Sequence, residues 1–169
     1  SGCGVGLHIG CANADTENIS PLIPINIGSN GTTAGGEVFC DVAFGVFLVG
    51  AFAEYDRVWG DLHSLPGGGN VDSDITLGMR AGVLASQSAL LYTHAGWTRI
   101  DGGAGVSNVT GLKVGAGIEV KLSNTPLYLD LRYTHAMYDG ALKVGPASID
   151  VNADEIRLGL KYKFSTSGR

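Results

Sequence analysis

Residues 110–122 read TGLKVGAGIEVKL. Leu112, Val114, Ala116, Ile118 and Val120 fall on one side of an extended chain. Lys113, Gly115, Gly117, Glu119 and Lys121 fall on the other. A period of two marks a strand, because successive side chains leave a pleated backbone on opposite faces. One face here is wholly apolar, and the other is charge and glycine.

The same alternation recurs along the chain. In residues 126–137, Leu127, Leu129, Leu131 and Tyr133 oppose Tyr128, Asp130, Arg132 and Thr134. In residues 154–164, Ile156, Leu158, Leu160, Tyr162 and Phe164 oppose Glu155, Arg157, Gly159, Lys161 and Lys163. Residues 3–14, 36–44, 46–58, 74–85 and 88–100 complete a set of eight predicted strands. Each is about as long as a tilted strand needs to cross a bilayer.

The connections alternate in length. Phe44-Gly45-Val46, residues 85–88 and residues 123–126 are tight turns. Residues 15–35, 59–73, 101–109 and 138–153 are long and rich in Gly, Asn, Asp, Ser and Pro. Membrane barrels have this asymmetry, with short turns on the periplasmic side and long loops outside. The expectation is an all-β, eight-stranded, antiparallel, up-and-down transmembrane β-barrel over residues 1–164, with residues 165–169 as a short C-terminal tail. The first strand begins next to Ser1, as expected of a mature chain whose signal peptide has been removed.

Composition narrows the class further. The chain has 169 residues, 27 of them Gly, with 16% charged residues and a net charge of −5. No apolar run is long enough for a membrane-crossing helix. The acidic balance argues against nucleic acid as a partner, since a phosphate-binding surface needs a basic patch.

Alternation leaves open which face points inward. A soluble ligand-binding barrel would enclose the apolar face. Three features favour the opposite arrangement. Glycines lie mainly on the polar face, where an eight-stranded barrel is narrow. Aromatics of the apolar face cluster near strand ends: Phe44, Phe47, Tyr162 and Phe164 toward the turns, and Tyr55, Trp59, Trp97 and Tyr133 toward the loops. These form two interfacial girdles. The polar face also carries near-balanced charge, with acids Glu37, Asp41, Glu54, Asp56, Asp74, Glu119, Asp130 and Glu155 against bases Arg80, Lys113, Lys121, Arg132, Arg157, Lys161 and Lys163. A desolvated interior demands such pairing. An ion-pair network of Glu54, Asp56, Arg80, Glu119, Asp130, Arg132 and Arg157 is expected in place of an apolar core.

Four stretches carry a family resemblance: residues 47–55 (FLVGAFAEY), 112–120 (LKVGAGIEV), 129–135 (LDLRYTH) and 158–164 (LGLKYKF). With them the chain resembles the small bacterial outer-membrane β-barrels, a family that includes the OmpA transmembrane domain and the alphaproteobacterial surface-antigen, porin-like proteins. The resemblance implies a Gram-negative outer-membrane location. It also implies contact with membrane lipids and lipopolysaccharide, and insertion by machinery that reads the aromatic-ended final strand.

The remaining chemistry is sparse. With the first hairpin pairing residue 14 with 36, Cys11 falls opposite residue 39, one position from Cys40. A Cys11–Cys40 disulfide then competes with three free, lipid-facing thiols, and Cys3 has no partner in that register. His8, His63, His94 and His135 lack the spacing of a metal site, and no cofactor is expected. An outer-membrane lipid-modifying enzyme would need a nucleophile near His135. Met137 stands at that place, and Glu155 lies on the opposite face. The expectation is therefore a non-enzymatic, surface-exposed barrel with a plugged interior. Its external loops would contact a ligand or cell-surface partner in adhesion or membrane integrity. A narrow porin-like channel is the alternative, and a lipid-modifying enzyme the second alternative.

Overall fold

The computed structural model describes residues 1–16, 29–59, 71–102, 109–144 and 147–165. They form β1 (Gly2–Thr16), β2 (Ser29–Phe44), β3 (Phe47–Trp59), β4 (Val71–Leu84), β5 (Ala89–Gly102), β6 (Val109–Lys121), β7 (Leu127–Val144) and β8 (Ala147–Ser165). Each strand pairs antiparallel with the next, and β1 pairs with β8 to close the barrel. Closure removes every sheet edge, which any bilayer-spanning sheet requires.

The turns sit where the alternation places them. Phe44 pairs with Phe47 across Gly45 and Val46. Gly45 has φ +63°, a conformation that glycine adopts without steric cost in a two-residue hairpin. On the other side the strands outrun their expected limits. Residues 29–35 belong to β2, and β7 and β8 continue as a paired hairpin to Val144 and Ala147, with a register break between Tyr138 and Leu142. Backbone hydrogen bonds need no apolar side chains, so a polar, glycine-rich stretch can still pair. The reading of 138–153 as a loop is corrected accordingly, and Ser165 ends β8 opposite Gly2 instead of opening the tail. The other parts of the expected loops and tail, residues 17–28, 60–70, 103–108, 145–146 and 166–169, lie outside the described residues.

The burial pattern decides the orientation. Leu7 is 73% exposed and Met79 64%, whereas Lys161 and Glu119 are each 1% exposed. The outward apolar stretches are about nine residues per strand, as in 47–55, 75–83, 112–120 and 156–164. At a strand rise of about 3.3 Å and a tilt of about 40°, nine residues make a belt roughly 23 Å tall. That is close to the apolar band of roughly 25 Å on membrane barrels.

The disulfide differs from the expectation. Cys3 is bonded to Cys40, and Cys11 is free and exposed. The cause is register. Ala14 pairs with Ser29, far from residue 36, which brings Cys3 opposite Cys40 and Cys11 opposite Thr32. This hairpin has the barest lumenal face, with Gly4, Gly6 and Gly10 on β1 and Gly35 on β2. Glycine-rich strands specify register weakly, so a bond between register partners supplies what side chains do not. Reduction, or Cys3→Ser, is expected to cost about 3–4 kcal/mol through loop entropy, read by urea unfolding in detergent micelles. Before reduction a maleimide should label one thiol per chain, at Cys11.

Candidate functional site

The lumen holds the densest chemistry. Arg132 on β7 is its hub. Its guanidinium reaches Glu54 Oε2 at 2.9 Å, Glu37 Oε2 at 2.7 Å and Asp130 Oδ2 at 3.4 Å. Its Nε donates to the Tyr92 hydroxyl at 3.0 Å, which donates to Asp130 Oδ1 at 2.6 Å. Lys161 stands against Glu37 at 2.9 Å and Asp130 at 3.2 Å. Toward the turns, Arg80 forks onto Asp41 at 2.8 and 2.5 Å and approaches Glu119 at 3.3 Å. Lys163 pairs with Glu119 at that mouth. Toward the loops, Arg157 holds Asp56 and Glu155 at 2.7 Å each and Glu54 at 3.0 Å. Lys113 pairs with Asp74, which also accepts from the Thr98 hydroxyl.

All seven residues expected in the network thus lie in it, and each is buried. The balance differs from the expectation. Eight acids are buried with five bases, and Lys163 joins from the mouth. Lys121 shares lumenal parity but lies exposed beyond the turn-side rim. The lumen therefore carries two more acids than lysines and arginines. His8 Nε2 adds a contact of 2.5 Å to Asp56 Oδ1. Lys113 and Lys161 belong to the network as fully as the seven.

Sequence reading missed the aromatics of the lumen. Phe39, Phe52 and Tyr92 are buried inside, joined toward the turns by Leu48 and Leu90. Their signal was parity, because Phe39 lies between Glu37 and Asp41 and Phe52 precedes Glu54 by two. Each is the register partner of a glycine on an adjacent strand: Phe39 of Gly4, Phe52 of Gly78 and Tyr92 of Gly117. His94 meets Gly115 in the same way. A Cβ at Gly78 would come within 2.5 Å of the Phe52 ring, and one at Gly117 within 2.6 Å of Tyr92. These glycines are seats for large side chains. Arg80 also lies over the Phe39 ring at 4.4 Å from its centroid.

The outer surface agrees with two aromatic rows. Phe44, Phe47, Tyr162 and Phe164 are exposed at the turn side, and Tyr55, Trp59, Trp97 and Tyr133 at the loop side. At the loop-side row the outward face becomes polar, with Arg57 between Tyr55 and Trp59, Arg99 beyond Trp97, and His135 and Asp154 beyond Tyr133 and Ile156. His135 pairs with Asp154, while Glu155 points into the lumen toward Arg157 and accepts from Thr33. No cluster of His, Cys, Asp and Glu suited to a metal occurs among the described residues.

No protein-family model matches the chain, and no curated protein matches its sequence. Solved structures match in shape. Neisserial surface protein A aligns over 97% of this chain and 100% of its own, with TM-score 0.54 and 16% identity. Ail, the attachment invasion locus protein of Yersinia pestis, aligns over 97% of this chain and 99% of its own, with TM-score 0.55 and 14% identity. This chain has the fold of the small outer-membrane β-barrels. The outer-membrane protein AlkL, solved in lipid bilayers, extends the likeness over 100% of this chain and 93% of its own, with TM-score 0.50 and 14% identity. At such identities fold is what is shared.

Two substitutions probe the lumen of this barrel. Arg132→Met takes a cationic partner from three buried carboxylates, leaving Glu37 and Asp130 to Lys161 and Glu54 to Arg157, and is expected to cost about 3–5 kcal/mol. Gly117→Val removes the Tyr92 seat and is expected to abolish the compact, heat-modifiable gel band. Retention of wild-type unfolding midpoints by both would contradict the packing described.

Proposed function

We propose that this chain is a bacterial outer-membrane β-barrel with a plugged interior, a scaffold that presents its loop side to partners outside the cell. The observation that carries the reading is the filled lumen. Guanidinium and ammonium groups of β4, β6, β7 and β8 reach carboxylates of β2 and β3, and aromatic rings seat on glycines between them. An eight-stranded barrel is just wide enough for side chains to fill, and here they do so with bonds that must break before a solute can pass.

The loop side supports the second half of the proposal. β7 and β8 run on together for some eleven residues beyond the Tyr133 row, to Val144, with the register break between Tyr138 and Leu142. At about 3.3 Å per residue and the usual tilt, that hairpin stands roughly 25–30 Å above the belt. Ail is named for attachment and invasion. By analogy of fold, contacts in adhesion or membrane integrity are assigned here to the loop side, with no catalytic step. Insertion by outer-membrane machinery completes the proposal, supported by the final strand with its apolar outer face ending at Phe164.

Two measurements test this. The protein should be extracted only with detergent and should migrate differently on a gel before and after boiling. In planar bilayers it should give no discrete current steps. Regular single-channel steps would overturn the plug and favour the porin-like alternative.

A further inference from the structure

The outward face of the barrel is apolar until the row above Tyr133, where three side chains of β7 and β8 form one cluster. The Tyr133 hydroxyl donates to Asp154 Oδ1 at 2.6 Å, and His135 Nδ1 lies 2.7 Å from the same oxygen. A carboxylate oxygen only accepts, so Nδ1 carries a ring proton, and in the neutral imidazole Nε2 keeps its lone pair. Both donors of the cluster are spent on one oxygen. Asp154 Oδ2 and His135 Nε2 remain, and neither has a hydrogen-bond partner among the described residues. The two side chains are 45% and 34% exposed. Asn13 on β1 is the register partner of Asp154 from the other side and is exposed too. Asp154 is the one outward-facing carboxylate among residues whose side chains are described.

We propose that this cluster binds a primary ammonium carried on a lipid headgroup. Tyr133, His135 and Asp154 together offer two acceptors and one negative charge with their own donors already spent, so they repel phosphate and match a cation rich in N–H. An –NH3+ group brings three donors to one point, enough for Asp154 Oδ2 and His135 Nε2 with one left for water. A quaternary ammonium has the same charge but no N–H, so it cannot make these bonds. Position selects the source. The cluster sits one step above the Tyr133 and Ile156 row that ends the apolar belt, where the headgroup layer of a bilayer lies. The inference rests on the membrane-barrel reading and deepens it. The ammonium can be that of a phosphoethanolamine headgroup or of an amino sugar on a glycolipid.

The test reconstitutes the full chain in vesicles of equal parts phosphatidylethanolamine and phosphatidylcholine. Retained lipids are then identified by native mass spectrometry after mild detergent release. A second arm replaces the phosphatidylethanolamine with an amino-sugar glycolipid. The wild type is expected to retain the primary-amine lipid about threefold to fivefold over phosphatidylcholine, the range of an exposed charged hydrogen bond. Asp154→Asn should bring the ratio to about one, and His135→Phe to about twofold. Enrichment in one arm or in both supports the site and names its source. Equal retention by the wild type, or enrichment that survives Asp154→Asn, overturns it. The heat-modifiable band separates the two claims. A folded, inserted barrel without lipid preference overturns this site alone, and a chain that never inserts overturns both.

Discussion

The guanidinium of Arg132 leaves β7, crosses the lumen and meets Glu54 on β3 and Glu37 on β2. Much of the structure depends on that crossing. A closed sheet with its apolar face outward has only a small apolar cluster inside, here Leu48, Leu90 and Tyr92, and the charged groups that fill the rest of its centre must satisfy one another. A carboxylate or guanidinium buried alone costs several kcal/mol. The cost is offset only when each charge has partners from other strands. Glu37 is held by both Arg132 and Lys161, and Glu54 by Arg132 and Arg157, so strands distant in sequence are tied through the middle.

Charge pairing alone would not fill the space. The long side chains need room in a lumen of fixed width, and the glycines supply it. Gly78, Gly115 and Gly117 stand beside Phe52, His94 and Tyr92 because a Cβ at any of them would overlap the neighbouring ring. Large and vanishing side chains alternate around the wall, as close packing requires. The cost falls on β1, whose lumenal face is mostly glycine, and the Cys3–Cys40 bond ties that strand to β2.

Faces were legible in the sequence because alternation is local. The parity of residues 112–120 and 156–164 is visible without any partner strand, and burial follows it residue by residue. Register was not legible. It depends on where pairing begins, and residues 29–35 pair through their backbone while showing no apolar pattern. The same cause hid the true cysteine pair and the β7–β8 hairpin beyond Tyr138. Charge balance was misjudged at Lys121, because parity says which way a residue points and not whether the barrel still surrounds it. The cluster at Asp154 escaped for a related reason. Sequence parity sets Glu155 on the face opposite His135, and only the register shows Asp154 beside it.

The central claim is that the apolar face meets lipid and the charged face is enclosed. One fluorescence measurement tests it most directly. In a background with Trp59→Phe and Trp97→Phe, a single tryptophan is placed by Leu131→Trp on the outward face or by Phe52→Trp in the lumen, and each protein is reconstituted in vesicles with brominated acyl chains. Strong quenching of the first and little of the second is the predicted result. Equal quenching of both, or stronger quenching of the lumenal tryptophan, would contradict it.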